Sequence, residues 1–183
     1  MHVDRNPDVE LSRQLRLDRV PPAGASLDVD ASDLERAALI RRFGVLALPV
    51  LTASVTLRPE GSGRWLVEGR LRATVVQACG ITLEPVEQRI DEGFVLRFST
   101  EAEEIDRDTG ELILGSEAAE PLDGDSLDLG EIVADQLGLA IDPFPRKPGA
   151  QLTDILPSQS VRSDSDSPFA PLAALKSDRK GQT

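Results

Sequence analysis

The chain has 183 residues, 40% of them apolar, enough for one domain of ordinary size that buries roughly 70% of the surface its unfolded form exposes. Its apolar runs are all shorter than the roughly 18 to 20 residues a bilayer-spanning helix needs, and the start MHVDRNPDVE lacks a basic-then-apolar leader pattern, so a cytoplasmic protein without a membrane partner is expected. The net charge of −12 argues against a uniformly nucleic-acid-binding surface, and the single cysteine, Cys79, excludes an internal disulfide and a multi-cysteine metal site.

In chain order, Val9, Leu11, Leu15 and Leu17 predict an opening strand, ended by Pro21-Pro22-Ala23-Gly24, and a short strand Leu27–Asp30 follows. Ser32-Asp33-Leu34-Glu35 reads as a capping box: the serine oxygen accepts from a first-turn amide while the glutamate reaches back. Leu34, Ala37, Ala38 and Ile40 then continue a helix of about three turns toward Gly44. Leu51, Ala53, Val55 and Leu57 alternate with Thr52, Ser54, Thr56 and Arg58, the period of two of a strand buried on one face. Pro59-Glu60-Gly61-Ser62-Gly63 turns the chain. Trp65, Val67, Leu71, Ala73 and Val75 line one face of the next strand, with Glu68, Arg70 and Arg72 on the other, and Val86, Ile90, Phe94, Leu96 and Phe98 mark a third.

Ser99 to Asp125 is an acidic, turn-rich loop with a short strand expected at Leu112–Leu114. Asp128 with Glu131 reads as a second capping box, opening a helix whose apolar stripe is Ile132, Val133, Leu137, Ala140 and Ile141. Asp142-Pro143 and Phe144-Pro145 stop it, because proline disfavours the helical region for its predecessor. The expected fold class is therefore α+β: an antiparallel β-meander curling toward a partial barrel, with two packed helices and a flexible C-terminal tail. Residues 1–150 form the expected domain, containing the acidic loop 99–125; residues 151–183 form the tail, with a short apolar motif at 167–176 in which Phe169, Leu172 and Leu175 recur every three residues.

Charge is unevenly placed. Between Asp91 and Glu131 stand 14 acidic and 2 basic residues, whereas the remainder carries 18 of each. Residues 36–72 hold seven arginines against Glu60 and Glu68. This predicts arginines gathered on one side of the molecule and carboxylates on another. Arg41, Arg42, Arg58, Arg70 and Arg72 are the candidate phosphate contacts, since a guanidinium pairs with phosphate through two parallel hydrogen bonds; the alternative is that they are the wet faces of a helix and two strands. Glu101, Glu103, Glu104, Asp106 and Asp108 are the candidate contacts for a basic partner, or else a solvated loop.

Reactive chemistry is sparse. The only histidine is His2, tyrosine is absent, and neither a phosphate-binding loop nor a dinucleotide-binding glycine turn is present. Asp106, Asp108, Asp123 and Asp125 lie in a turn-rich loop and match no complete calcium pattern. No cofactor, metal or small-molecule substrate is expected, and the protein is not expected to be an enzyme. Cys79 is read as a small buried hydrophobe at a strand end, on the side of Trp65, Val67 and Val75.

The pattern from Val75 to Pro85 (VVQACGITLEP), with Ile90, Phe94 to Phe98, Leu127-Asp128-Leu129-Gly130-Glu131 and Gln136-Leu137, resembles the YceD family over approximately Asp8 to Ala150. Cys79, Pro85, Leu127, Asp128, Leu129, Gly130 and Glu131 are its structural motif positions here. The resemblance implies a ribosome-biogenesis factor supporting synthesis, processing or stability of large-subunit 23S rRNA, with that RNA or its precursor as partner, directly or indirectly. Many family members carry Cys-x-x-Cys at the strand end and a second cysteine group after the helix. Here these read Cys79-Gly80-Ile81-Thr82 and Pro145-Arg146-Lys147-Pro148-Gly149, leaving one thiol. The alternative kept open is an acidic adaptor or chaperone that binds a basic ribosomal protein; a carboxylate-dependent nuclease is a third, weaker reading.

Overall fold

The alternating segments become three strands of 15 residues each, paired antiparallel in sequence order: β3 (Ala47–Gly61), β4 (Arg64–Ala78) and β5 (Pro85–Ser99). The computed structural model describes residues 9–61, 63–100, 119–122 and 124–151. Ahead of the three strands lie β1 (Gln14–Arg16), a 3-10 turn (Leu17–Arg19), β2 (Ala25–Asp30) and α1 (Asp33–Phe43); after them come β6 (Glu120–Pro121), β7 (Ser126–Asp128) and α2 (Leu129–Ala140). The main sheet has the order β2-β3-β4-β5-β6, antiparallel except for the parallel pairing of β5 with β6, and β1 pairs antiparallel with β7 in a separate ribbon. The sheet is open and does not close into a barrel. The class is α+β. Chain contacts divide the molecule into Met1–Lys147 and Pro148–Thr183; of the second unit only Pro148–Gln151 fall among the described residues.

One face of the main sheet is buried, because the period-two apolar positions of neighbouring strands fall in register: Ala53 lies opposite Leu71 and Val29, and Leu57 opposite Val67. With Val55, Val75, Ile90, Phe94 and Phe98 they form a single core that also takes Leu39 of α1 and Leu129, Val133, Ala134 and Leu137 of α2. Gly69 is needed in this layer, since a Cβ there would sit 2.3 Å from the ring of its cross-strand partner Phe94. Helix α1 is capped as its sequence reads: Ser32 Oγ accepts from Glu35 N, the Glu35 carboxylate accepts from Ser32 N, and Gly44 ends the helix in the left-handed conformation.

Helix α2 begins differently from the expected box. Asp128 does cap it, accepting from Gly130 N at 3.0 Å and Glu131 N at 3.2 Å, but the Glu131 side chain turns away to Arg42 of α1 at 2.8 Å. A tertiary ion pair outcompetes the local reciprocal bond. The remaining capacity of Asp128 goes to the start of the chain: Arg13 N and Ser12 Oγ each donate to it at 2.6 Å. Gly130 completes the contact, because a Cβ there would meet Leu11 O at 2.6 Å and Arg13 N at 2.8 Å. The segment Leu11–Arg13 thus lies directly against the first turn of α2, and Leu129 N donates to Arg13 O.

Arg13 carries this junction to α1. Its guanidinium holds the Glu35 carboxylate through two bonds, the shorter 2.6 Å, with both side chains largely shielded from water. Burial pushes the Glu35 carboxyl upward, but the bonds from Arg13 and Ser32 outweigh it and hold the group at about 2.

Two outcomes follow. Gly130→Ala lowers stability by about 1–3 kcal/mol in denaturant melts, in spite of alanine's better helix propensity, because the colliding atoms are backbone. Glu35→Gln costs about 3 kcal/mol near neutral pH. A depressed folded-state pKa gives stability that is complete above the ordinary carboxylate range and disappears as pH falls toward 2, so wild type and Glu35→Gln converge across that window while differing by a constant amount above it.

Candidate functional site

The arginines singled out from the sequence do not gather on one surface. Arg58, Arg70 and Arg72 project from the exposed face of the main sheet, opposite the helices, whereas Arg41 and Arg42 belong to the last turn of α1 in the helical layer. The sheet face is moreover a mosaic of both signs. Arg58 pairs with Glu68, Arg70 with Asp91 at 2.5 Å, Arg72 with the same Asp91 at 3.4 Å, and Arg89 with Glu87 at 3.0 Å. Asp28 and Asp30 of β2 line a cleft of about 270 Å³ with Arg70 and Arg72. The charge blocks of the sequence are therefore interleaved on this face, and the expected separation of signs is corrected among the described residues. The reason is register: antiparallel pairing sets Arg72 opposite Asp91 and Thr56 opposite Glu68, bringing segments of opposite charge side by side.

These pairs shape the electrostatics. The hydrogen bond from Arg70 holds the Asp91 carboxyl below its ordinary range, and Asp91 in turn raises Arg70. Arg42 is committed to helix packing: it bridges to Glu131 and Asp135 of α2, each at 2.8 Å, and to Glu10 at 3.4 Å, which raises its own pKa. Arg41 is exposed and makes no ion pair among the described residues. Glu101, Glu103, Glu104, Asp106 and Asp108 lie outside the described residues, as do the strand expected at Leu112–Leu114 and the Phe169, Leu172 and Leu175 motif. The two ends of the acidic stretch meet at one place, where Thr100 N donates to Gly63 O and Leu122 N to Ser99 O.

The motif residues fall into two structural groups. Leu127 and Leu129 are buried on either side of the Asp128 cap, with Gly130 at the backbone crossing and Glu131 on Arg42. Pro85 opens β5 opposite Ala78, closing a turn in which Cys79 N donates to Glu84 O and Leu83 N to Cys79 O. Cys79 is fully buried, yet it stands apart from the hydrophobic core. Its sulfur accepts three backbone N–H groups: Ile81 and Lys147 at 3.4 Å and Thr82 at 3.5 Å. These bonds, that from Lys147 foremost, bring the thiol down to about 6, which corrects its reading as a mere apolar filler. Gly80 N donates to Pro145 O and Lys147 Nζ reaches Glu84 at 2.9 Å, so the turn after β4 and the segment after α2 are fastened together around the sulfur. Among the described residues no group of three His, Cys, Asp or Glu is placed to hold a metal.

Sequence reasoning missed the neighbouring cleft. It has a volume of about 340 Å³ and is lined by Gly44, Gln77, Ile81, Phe144, Pro145 and Arg146 among others, with the Phe144 ring 76% exposed. The available signal was an aromatic residue held between two prolines just past a helix, taken only as a helix stop.

A thiol at about 6 against an ordinary value near 9 adds stability that is present above the ordinary value and fades as pH falls through 6. Thiolate absorbance in the native protein is expected to titrate near pH 6, and the stability gap between wild type and Cys79→Ala to narrow from pH 9 to pH 6. A midpoint at the ordinary thiol value would contradict the geometry around the sulfur.

Comparison with known proteins matches the turn at Cys79, the Leu-Asp-Leu-Gly-Glu junction and α2 to one family. The family model described as "Large ribosomal RNA subunit accumulation protein YceD" aligns with residues 67–176, from within β4 to beyond α2. No curated protein and no solved structure matches the chain. No helix among the described residues is long and apolar enough to cross a membrane. With more than half of its length matched, the chain belongs to the YceD family.

Proposed function

We propose that the protein is a non-enzymatic ribosome-biogenesis factor that supports synthesis, processing or stability of large-subunit ribosomal RNA through non-covalent contact. The observation that carries this reading is the family match, whose description names accumulation of that RNA. The condition of the surface carboxylates supports contact over catalysis: Glu68, Glu87 and Asp91 are each engaged by arginine, and Asp91 is held below its ordinary range, a counter-ion's role and a poor one for a proton acceptor.

The described geometry refines which cations would meet RNA. Arg58, Arg70 and Arg72 each exchange a carboxylate for a phosphate on binding, so their gain is the difference of two pairings and small at ordinary salt. Arg42 would lose a contact between the helices. Arg41 has no such exchange to make among the described residues and is the strongest of the five. A second reading is favoured by one observation, the excess of 12 negative charges between Asp91 and Glu131: the acidic segment receives a basic ribosomal protein and delivers it to the assembling subunit.

Depleting the protein from cells is expected to lower large-subunit rRNA relative to small-subunit rRNA, measured on total RNA; an unchanged ratio overturns the reading. Crosslinking in the same cells separates the modes. Recovered rRNA whose yield falls with rising salt supports direct contact, whereas recovery of a basic ribosomal protein alone, lost on deleting Glu101 to Glu120, installs the adaptor in its place.

A further inference from the structure

The most exposed aromatic ring among the described residues sits where two loops are braced from beneath. Phe144 follows α2 between Pro143 and Pro145, and its amide donates to Asp142 Oδ1 at 2.9 Å, so the backbone that carries the ring is held on both sides. The next residues are fastened to the β4–β5 turn by the Pro145–Gly80 and Lys147–Cys79 bonds. An apolar ring of this size left 76% exposed on a supported loop forgoes burial that the core could have used. Opposite it in the same cleft stands Ile81, and Leu83 at the tip of the turn is also exposed, held at a φ of 61° that a branched side chain seldom adopts.

The polar groups around the cleft define the occupant. Arg146 lines it and is exposed, and Gly44, another lining residue, stands three residues after the exposed Arg41. Gln77 lines it as well, its Nε2 donating to Asp142 O and its Oε1 enclosed by the protein. An exposed π-surface beside the guanidinium of Arg146, with Arg41 nearby in the chain, matches a nucleotide, whose base offers a stacking face and whose phosphate carries the charge. A purely apolar peptide would leave the guanidinium of Arg146 without a partner. The volume, about 340 Å³, lies at the lower end of the range for small-ligand pockets and suits one nucleotide unit. Bases in a duplex are stacked on each other and cannot reach a protein ring, so the occupant is unpaired.

We propose that the cleft between the β4–β5 turn and the segment after α2 binds an unpaired nucleotide of RNA, with Phe144 stacking on the base and Arg146 and Arg41 meeting the flanking phosphates. This rests on the reading of the protein as a large-subunit rRNA factor and gives that reading a place on the molecule. The sheet face, with its arginines already paired, then plays a minor part in RNA contact.

The test uses the full chain and a fluorescently labelled short single strand of adenosine and cytidine, with its annealed duplex as comparison, read by anisotropy at two salt concentrations. The expected result is preference for the single strand and a loss of about tenfold or more in affinity for Phe144→Ala, retained in Phe144→Trp, since base–aromatic stacking tolerates exchange of one ring for another. Arg146→Ala and Arg41→Ala each weaken binding and reduce the salt slope by about 0.7. The ring is exposed, so these variants fold, which circular dichroism checks. Single-strand binding that Phe144→Ala leaves intact overturns the site while the rRNA reading stands. If wild type binds neither RNA, direct contact falls together with the site, and the rRNA ratio in depleted cells still judges the broader reading. A Phe144→Ala variant that fails to restore rRNA in cells, where the wild-type protein shows no RNA affinity, also overturns the site and assigns the ring to a protein partner.

Discussion

The carboxylate of Asp128 holds the fold together at its least local point. One side chain caps α2 through two amides and receives Arg13 N and Ser12 Oγ from a segment 115 and 116 residues earlier. A charged acceptor with four donors is worth far more than a surface ion pair, because removing it would strand several donors in a site that water reaches poorly. From there the linkage is continuous. Arg13 passes it to Glu35, Glu35 to the Ser32 cap of α1, and at the far end of α1 Arg42 returns it to Glu131 and Asp135 on α2. The two helices are therefore fixed relative to each other by charge at their ends and by Phe43 against Gly138 between them. The motif Leu-Asp-Leu-Gly-Glu becomes intelligible residue by residue: two leucines for the core, an aspartate for the junction, a glycine for the backbone crossing, and a glutamate for the partner helix.

This use of charge bears on function. An arginine-rich stretch looks available for phosphate in one dimension, but folding spends most of its guanidinium groups internally. Arg42 is consumed by the helix pair and Arg58, Arg70 and Arg72 by cross-strand or near-strand carboxylates. Of that stretch, Arg41 at the end of α1 and Arg64 at the start of β4 are exposed and make no ion pair among the described residues. The acidic excess acts in a complementary way: a net charge of −12 weakens non-specific attraction for nucleic acid, so the proposed RNA contact depends on a local site.

The parts of this architecture readable in advance are those governed by short-range physics. Alternation in Leu51–Arg58 and Trp65–Val75 specified two strands because side chains alternate across a pleat whatever surrounds them, and Ser32 with Glu35 specified a helix start because both partners lie within one turn. The β1–β7 ribbon was not readable: three residues at each end of a long separation carry too little pattern, and the contacts that join them, the Asp128 cap and the Leu129–Arg13 bond among them, are all long-range. Glu131 shows the same limit from the other side, since its local partner was available and lost to Arg42, 89 residues away. On the described sheet face the signs interleave because sequence proximity says nothing about which strand lies alongside. Phe144 was legible as a residue and illegible as a surface, because exposure is a property of what packs nearby.

Cys79 joins these themes. Its thiol environment comes from Ile81 and Thr82, two and three residues on, and from Lys147, 68 residues on, so two of the three donors belong to a local turn and one to a tertiary closure. One sulfur and its N–H donors draw these two segments together, supported by the Gly80–Pro145 bond and the Lys147–Glu84 pair. The fastening matters to what lies above it. Phe144 and Arg146 are within three residues of Lys147, and their placement over the cleft is only as definite as the loop that bears them. The physical route from Cys79 to the surface at Phe144 thus runs through backbone amides and the chain between Phe144 and Lys147.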